Sequence, residues 1–139
     1  MFPDAVAAAI KFLDGKKTGF FMMAEGSQID WAAHDNNTDG VVAEVLDLDR
    51  AINIALDFAQ KNGNTLVIIT GDHETGGMAV TEGSISDGKV TAAFVTEDHT
   101  AEMLPVFAYG PEAELFTGVY ENRDIFTKMM EAFGFSKDK

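Results

Sequence analysis

Two unbroken apolar runs bracket one long amphipathic segment, and this arrangement limits the fold more than any other feature of the chain. The runs are residues 19–24 (Gly-Phe-Phe-Met-Met-Ala) and 65–70 (Thr-Leu-Val-Ile-Ile-Thr). A strand with one wet face alternates apolar and polar residues. A run without alternation, bounded by turn residues, suits a strand buried on both faces. Between the runs, Val41, Val45, Leu48, Ile52, Ala55 and Ala59 recur at spacings of three and four. That period predicts a helix from about residue 38 to 61, stopped by Gly63. Strand, long helix, strand is the unit from which parallel sheets are built, so the fold class that follows is α/β.

The rest of the chain is less regular. Residues 4–13 read as a helix with Asp4 as its N-cap, Val6, Ile10 and Leu13 on one face, and Gly15 as the stop. Residues 79–81 and 90–95 read as short strands around an Asp87-Gly88 hairpin turn, 105–109 as a further core strand, and 122–133 as a terminal helix. No linker or repeat interrupts residues 1–139, which suits a single domain with no second one. The 46% hydrophobic content, with 11 Phe, argues against disorder. Ten cations against 23 anions give a formal charge of −13, which argues against a nucleic-acid partner. The absence of Cys removes disulfides and thiolate metal sites. The start, Met1-Phe2-Pro3-Asp4, has no basic residue, and the apolar run 5–10 is too short for a signal peptide or membrane helix.

Each of the three histidines has an acidic neighbour: Asp30 with His34, Asp72 with His73, Asp98 with His99. Asp72 and His73 follow directly on the stronger of the two predicted strands, at the sheet edge where ligands of open α/β folds bind. Gly71, Gly76 and Gly77 around them let the backbone crowd a site. An isolated Asp-His pair reads more simply as a turn cap beside a surface imidazole; its place after a buried strand favours ligation. Asp30 and His34, four apart, share one face of a helical turn, although a helix N-cap beside a solvated His would leave the same pattern. Glu25 ends the other apolar run. Carboxylate and imidazole donors without sulfur suit hydrolytic Zn²⁺, or Zn²⁺ with Mg²⁺, better than a structural zinc knuckle. His99 alone is a surface residue and gains meaning only as a third ligand beside Asp30 and His34.

Two other signals fail on inspection. Gly15-Lys16-Lys17-Thr18 lacks the leading glycine of a phosphate loop. Asp35-Asn36-Asn37-Thr38-Asp39-Gly40 opens like a calcium loop, but its twelfth position is Leu46 rather than a bidentate Glu. A polar turn capping the long helix accounts for it.

Three motifs together resemble the alkaline phosphatase family: Glu25-Gly-Ser-Gln-Ile-Asp30-Trp-Ala-Ala-His34, Thr70-Gly-Asp72-His73-Glu-Thr-Gly-Gly77, and His99-Thr100 before Pro105-Val106. The resemblance covers nearly the whole chain but only the C-terminal part of the family's catalytic domain. It implies an α/β three-layer sandwich with a largely parallel central sheet, of which residues 1–139 supply the C-terminal portion. It implies two Zn²⁺ and one Mg²⁺ per complete site. Asp30, His34 and His99 would hold one zinc, Asp72 and His73 the second, and Glu25 the magnesium. The family hydrolyses phosphate monoesters by in-line attack of a serine, giving a phosphoserine that water cleaves to release inorganic phosphate.

The chain departs from the family pattern at several points. Ser27, Ser84, Ser86 and Ser136 all lack the Asp-Ser-Ala context of the nucleophile, so no catalytic residue is expected in this chain. Arg50 and Arg123 are poorly placed to clamp phosphate, and Trp31 stands where some members carry Lys. The expectation is therefore the C-terminal portion of an alkaline phosphatase, inactive alone. A phosphodiesterase, sulfatase or phosphomutase of the same superfamily, and a non-catalytic acidic metal-binding module, remain alternatives. The resemblance also implies a periplasmic or extracellular homodimer for the full-length protein, and exposed sheet edges predict self-association of this chain.

Overall fold

The computed structural model describes residues 1–16 and 18–135; Lys17 of the predicted turn and Ser136 lie outside the described residues. Contacts divide the chain into two compact units, Met1–Ala55 with His73–Met103, and Leu56–Asp72 with the segment from Leu104 onward.

The first unit opens with α1 (Phe2–Asp14). Its N-cap is Met1 rather than Asp4, because Pro3 fits the first turn, where its missing N–H costs nothing; Asp4 instead lies inside that turn. Val6 and Ile10 are its buried positions, as the helical spacing predicts. Residues 19–24 take neither helix nor strand form. The predicted strand is thus not formed. A strand apolar on both faces needs a covered sheet interior, and here Phe21 is 61% and Met23 72% exposed. Next come α2 (Gln28–His34) and α3 (Thr38–Asn62), which continues into the second unit. The polar turn between them does cap α3, since the Gly40 N–H donates to Asn37 Oδ1 at 3.0 Å.

The second unit contains β1 (Val67–Ile69), antiparallel to β6 (Phe107–Tyr109), with Val67 opposite Tyr109 and Ile69 opposite Phe107. In the first unit β2 (Glu74–Thr75) pairs with β5 (His99–Thr100), and β3 (Ala79–Ser84) with β4 (Lys89–Ala93) across the predicted Asp87-Gly88 turn. Among the described residues every ladder is two-stranded and antiparallel, so the expected parallel pairing of the two apolar runs does not occur. The second unit closes with a 3₁₀ helix (Ala113–Phe116) and α4 (Asp124–Ala132). Lys128 Nζ ties them by donating to the Leu115 carbonyl at 2.6 Å, while the Tyr120 hydroxyl donates to the Phe116 carbonyl at 3.0 Å.

Gly110 and Gly118 have nearly the same backbone angle, φ +110° and +106°. A Cβ on Gly110 would overlap the Thr65 carbonyl oxygen beside the β1–β6 ladder, whereas one on Gly118 meets nothing within 4 Å. Gly118→Ala should therefore cost only backbone strain, about 1–3 kcal/mol. Gly110→Ala should cost about 1 kcal/mol or more beyond that, because the ladder must also shift. Urea denaturation of the two variants compares them directly, and equal midpoints would contradict the close approach.

Candidate metal centre

The site is assembled by one helix and one short ladder, both in the first unit. Helix α2 carries Asp30 and His34 one turn apart, with Nε2 of His34 3.4 Å from Asp30 Oδ1. The β2–β5 ladder sets Thr75 opposite His99, and His73 immediately precedes β2. The rings of His73 and His99 stack with centroids 3.6 Å apart. Two further backbone bonds hold the ladder closed: Gly76 N–H donates to the Asp98 carbonyl at 3.0 Å, and Val95 N–H to the Gly76 carbonyl at 2.9 Å. Gly76 itself must be glycine. With φ +88°, a Cβ there would sit 2.8 Å from the Phe94 ring and 3.2 Å from the Ala33 carbonyl of α2.

Asp30 Oδ1 is the common point. It accepts the Thr75 hydroxyl at 2.5 Å and lies 3.6 Å from His99 Nε2 and 4.0 Å from His73 Nδ1. Nε2 of His99 and Nε2 of His34 are 3.2 Å apart. Asp30 Oδ1, His34 Nε2 and His99 Nε2 therefore form a triangle with edges of 3.2, 3.4 and 3.6 Å. Ligand atoms about 2.0–2.1 Å from a tetrahedral zinc are themselves separated by about 3.4 Å. The two carboxylate–imidazole edges exceed an ordinary N–H···O bond, while the His99 Nε2–His34 Nε2 edge is within hydrogen-bond distance. His34 is also in the right tautomer: its Nδ1 bonds the Glu97 carbonyl, which can only accept, and Nε2 is left with its lone pair turned inward. Ligand atoms of Asp30, His73 and His99 also lie within 4.8 Å of one another. The donor set thus fits a divalent cation.

Four of the six residues expected from the sequence converge here: Asp30, His34, His73 and His99. Glu25 is exposed and outside the cluster. Asp72 is exposed and adjoins His73 in the chain, but belongs to the second unit. Trp31, beside Asp30, is 67% exposed. Ser84 and Ser86 bond Asp87 within the β3–β4 turn, with Ser84 Oγ donating to Asp87 Oδ2 at 3.0 Å. Sequence reading missed three contributors: Thr75, the Glu97 carbonyl and Glu74. All three act through hydrogen bonds, and only Thr75 and Glu74 fall within one of the family motifs, Thr70 to Gly77.

Glu74 locks the turn behind the site. Its carboxylate accepts from Gly77 N–H at 3.0 Å, Met78 N–H at 3.3 Å and the Thr100 hydroxyl. Partial burial works against its ionisation, but these three bonds and the nearby His73 prevail and hold its pKa below the ordinary carboxylate value.

The family model for alkaline phosphatase matches residues 2–93 and 86–135. The chain belongs to the alkaline phosphatase family. Alkaline phosphatase 4 of Bacillus subtilis is 34% identical over an alignment covering 87% of this chain and 41% of that protein. For the alkaline phosphatase of Escherichia coli the figures are 36%, 91% and 30%. The structure of alkaline phosphatase from the Antarctic bacterium TAB5 superposes with a TM-score of 0.90 at 43% identity, covering 99% of this chain and 42% of that one. A mutant of the TAB5 enzyme was solved with Mg bound in its M3 site; it matches with a TM-score of 0.88 at 44% identity. The chain therefore has the alkaline phosphatase-like fold and spans about two fifths of its solved relative. The three-layer sandwich expected from the sequence is a property of that whole fold, whose sheet this chain represents only by short ladders.

The depressed pKa of Glu74 sets a sign for pH. A group with a lowered folded pKa adds stability above its unfolded value, near 4.5, and loses it as pH falls through the folded value. Glu74→Gln should be less stable than the parent by about 1 kcal/mol at pH 7. The gap should close as pH falls below the ordinary carboxylate range. Thermal melts across pH 3 to 7 test this, and a gap that widened in acid would contradict it.

Proposed function

We propose that this chain is the metal-holding portion of a phosphate monoester hydrolase. Family membership supports that activity, and the triangle of Asp30 Oδ1, His34 Nε2 and His99 Nε2 is the observation that carries the reading to these residues. In this reading Asp30, His34 and His99 hold one zinc, Asp72 and His73 contribute to the second, and Glu25 serves magnesium. When bound, such ions supply Lewis-acid stabilisation to the phosphoryl oxygens and lower the pKa of the attacking and leaving oxygens.

The work of this chain's own residues is placement. Helix α2 fixes the spacing of Asp30 and His34. The Glu97 carbonyl holds the His34 proton on Nδ1, and the β2–β5 ladder carries His73 and His99 to the same rim. The serine nucleophile and the phosphate-clamping Arg belong, on this account, to the portion of the family domain outside these residues. Trp31 brings no positive charge to the phosphate, so its binding relies on the metals and on groups from elsewhere. The substrate class is phosphate monoesters, with inorganic phosphate as product. The wider expectations from the family are a homodimer and a periplasmic or extracellular location. Among the described residues no helix is long and apolar enough to cross a membrane. Exposed Phe12, Phe21, Met23 and Phe126, each at least 61% accessible, support self-association of this chain by itself.

Joined to the N-terminal portion of the TAB5 enzyme, the chain should yield hydrolysis of an aryl phosphate at alkaline pH that disappears with chelator and returns with Zn²⁺. Asp30→Ala and His99→Ala should each lower that rate on the order of 100-fold or more, since each removes a ligand of a catalytic ion. Full activity in either variant would overturn the assignment.

A further inference from the structure

Helix α2 ends in a turn whose backbone suits glycine better than the residue found there. The Asn37 N–H donates to the Ala32 carbonyl and the Asn36 N–H to the Ala33 carbonyl, both at 2.9 Å, and Asn36 takes the left-handed conformation at φ +50°. Glycine adopts that conformation without a Cβ penalty, so what asparagine adds is its side chain. The Asn36 amide faces two carbonyl oxygens, which identifies its nitrogen: Nδ2 donates to the Thr96 carbonyl at 2.9 Å and to the Ala33 carbonyl at 3.2 Å. We infer that Asn36 and Thr96 form an outer clamp on the metal centre, two positioning residues that aim the Glu97 carbonyl at His34 Nδ1 and so keep the proton of His34 off Nε2, its ligating atom. This rests on the metal-centre reading and extends it to two residues that touch no ion.

The clamp acts on one peptide plane, the one joining Glu97 to Asp98. Its N–H, that of Asp98, donates to Thr96 Oγ1 at 3.0 Å. A trans peptide points its carbonyl opposite to its N–H. Fixing the N–H therefore fixes the direction of the Glu97 carbonyl, which bonds His34 Nδ1. A carbonyl only accepts, so the proton of His34 sits on Nδ1 and Nε2 keeps its lone pair for a cation. Among the described residues this carbonyl is the hydrogen-bond partner of Nδ1. Without its aim the proton can move to Nε2 and block ligation. The loop that carries the carbonyl is anchored on two sides. On the ladder side the Gly76 carbonyl accepts the Thr96 N–H at 3.3 Å, and the Gly76 N–H donates to the Asp98 carbonyl at 3.0 Å. On the helix side Asn36 ties the Thr96 carbonyl to the last turn of α2, which ends in His34. The amide thus sets the distance between the Glu97 carbonyl and a ring 63 positions away in the chain.

Asn36→Gly removes the amide while relaxing the backbone. Thr96→Val removes the hydroxyl and keeps the shape of the side chain, and Thr96→Ser keeps the hydroxyl. The first readout is the ¹⁵N imidazole spectrum of the metal-free chain at about pH 9, where histidine is neutral. His34 should carry its proton on Nδ1 in the parent and in Thr96→Ser, and should exchange it between both nitrogens in Asn36→Gly and Thr96→Val. The second is Zn²⁺ affinity by competition with a chromophoric chelator, with circular dichroism in chelator confirming that each variant folds. Asn36→Gly and Thr96→Val should each bind Zn²⁺ about 10-fold more weakly, the lower end of the effect of losing an outer partner of a ligand. Thr96→Ser should stay near the parent. Parent tautomer and affinity in Asn36→Gly, the result expected of an asparagine that serves only the left-handed backbone, would overturn the clamp; with Zn²⁺ lost in Asp30→Ala, the metal centre would still stand. A folded parent that binds no Zn²⁺ would overturn both. Should neither Asn36→Gly nor Thr96→Val fold, the parent spectrum decides alone, and a His34 protonated on Nε2 would end the proposal.

Discussion

One carboxylate oxygen organises this molecule's chemistry. Asp30 Oδ1 accepts a buried hydroxyl and faces nitrogens of three imidazoles at 3.4 to 4.0 Å. Each of those groups reaches it by a different structural rule. His34 arrives through helical spacing, four residues along α2. His73 and His99 arrive through a two-residue antiparallel ladder that joins positions 26 residues apart. Thr75 arrives through burial of that ladder's first strand against the helix.

The different rules explain how much the sequence discloses. Helix α3 and strand β1 were legible because a long period of three and four, or an unbroken β-branched run, leaves little alternative. The β3–β4 hairpin was legible from Asp87-Gly88, and α4 from Ile125 and Met129. Residues 19–24 misled, because a pattern reports which faces want burial and not whether a neighbour covers them; Phe21 and Met23 remain largely exposed. The Asp30–His34 pair was legible from its spacing alone. The link from His73 to His99 was not, since strands of two residues have no period to detect, and His99 gained its meaning only beside the family motifs. Thr75 sat in plain view within one of those motifs, but its importance lies in a bond across 45 positions.

The acidic balance of the chain fits the same picture. Asp30 shares its surroundings with three imidazoles rather than with a basic side chain, so no Lys or Arg among the described residues offsets its charge by contact. Glu74 shows the alternative solution, a carboxylate satisfied by two backbone N–H groups and a hydroxyl. Asp30 Oδ1 has one hydroxyl donor and three imidazole nitrogens at 3.4 to 4.0 Å around it, a donor set that suits a divalent cation. On the proposed reading, what the chain contributes to a phosphatase is the spatial arrangement of ligands, with the nucleophile supplied from outside its residues.

The most direct test is X-ray absorption at the zinc edge of the chain loaded with one equivalent of Zn²⁺. The account predicts a first shell of nitrogen and oxygen at about 2.0–2.2 Å with outer-shell scattering from two imidazoles, and loss of one imidazole contribution in His34→Ala. A shell of oxygen alone, without imidazole scattering, would contradict it.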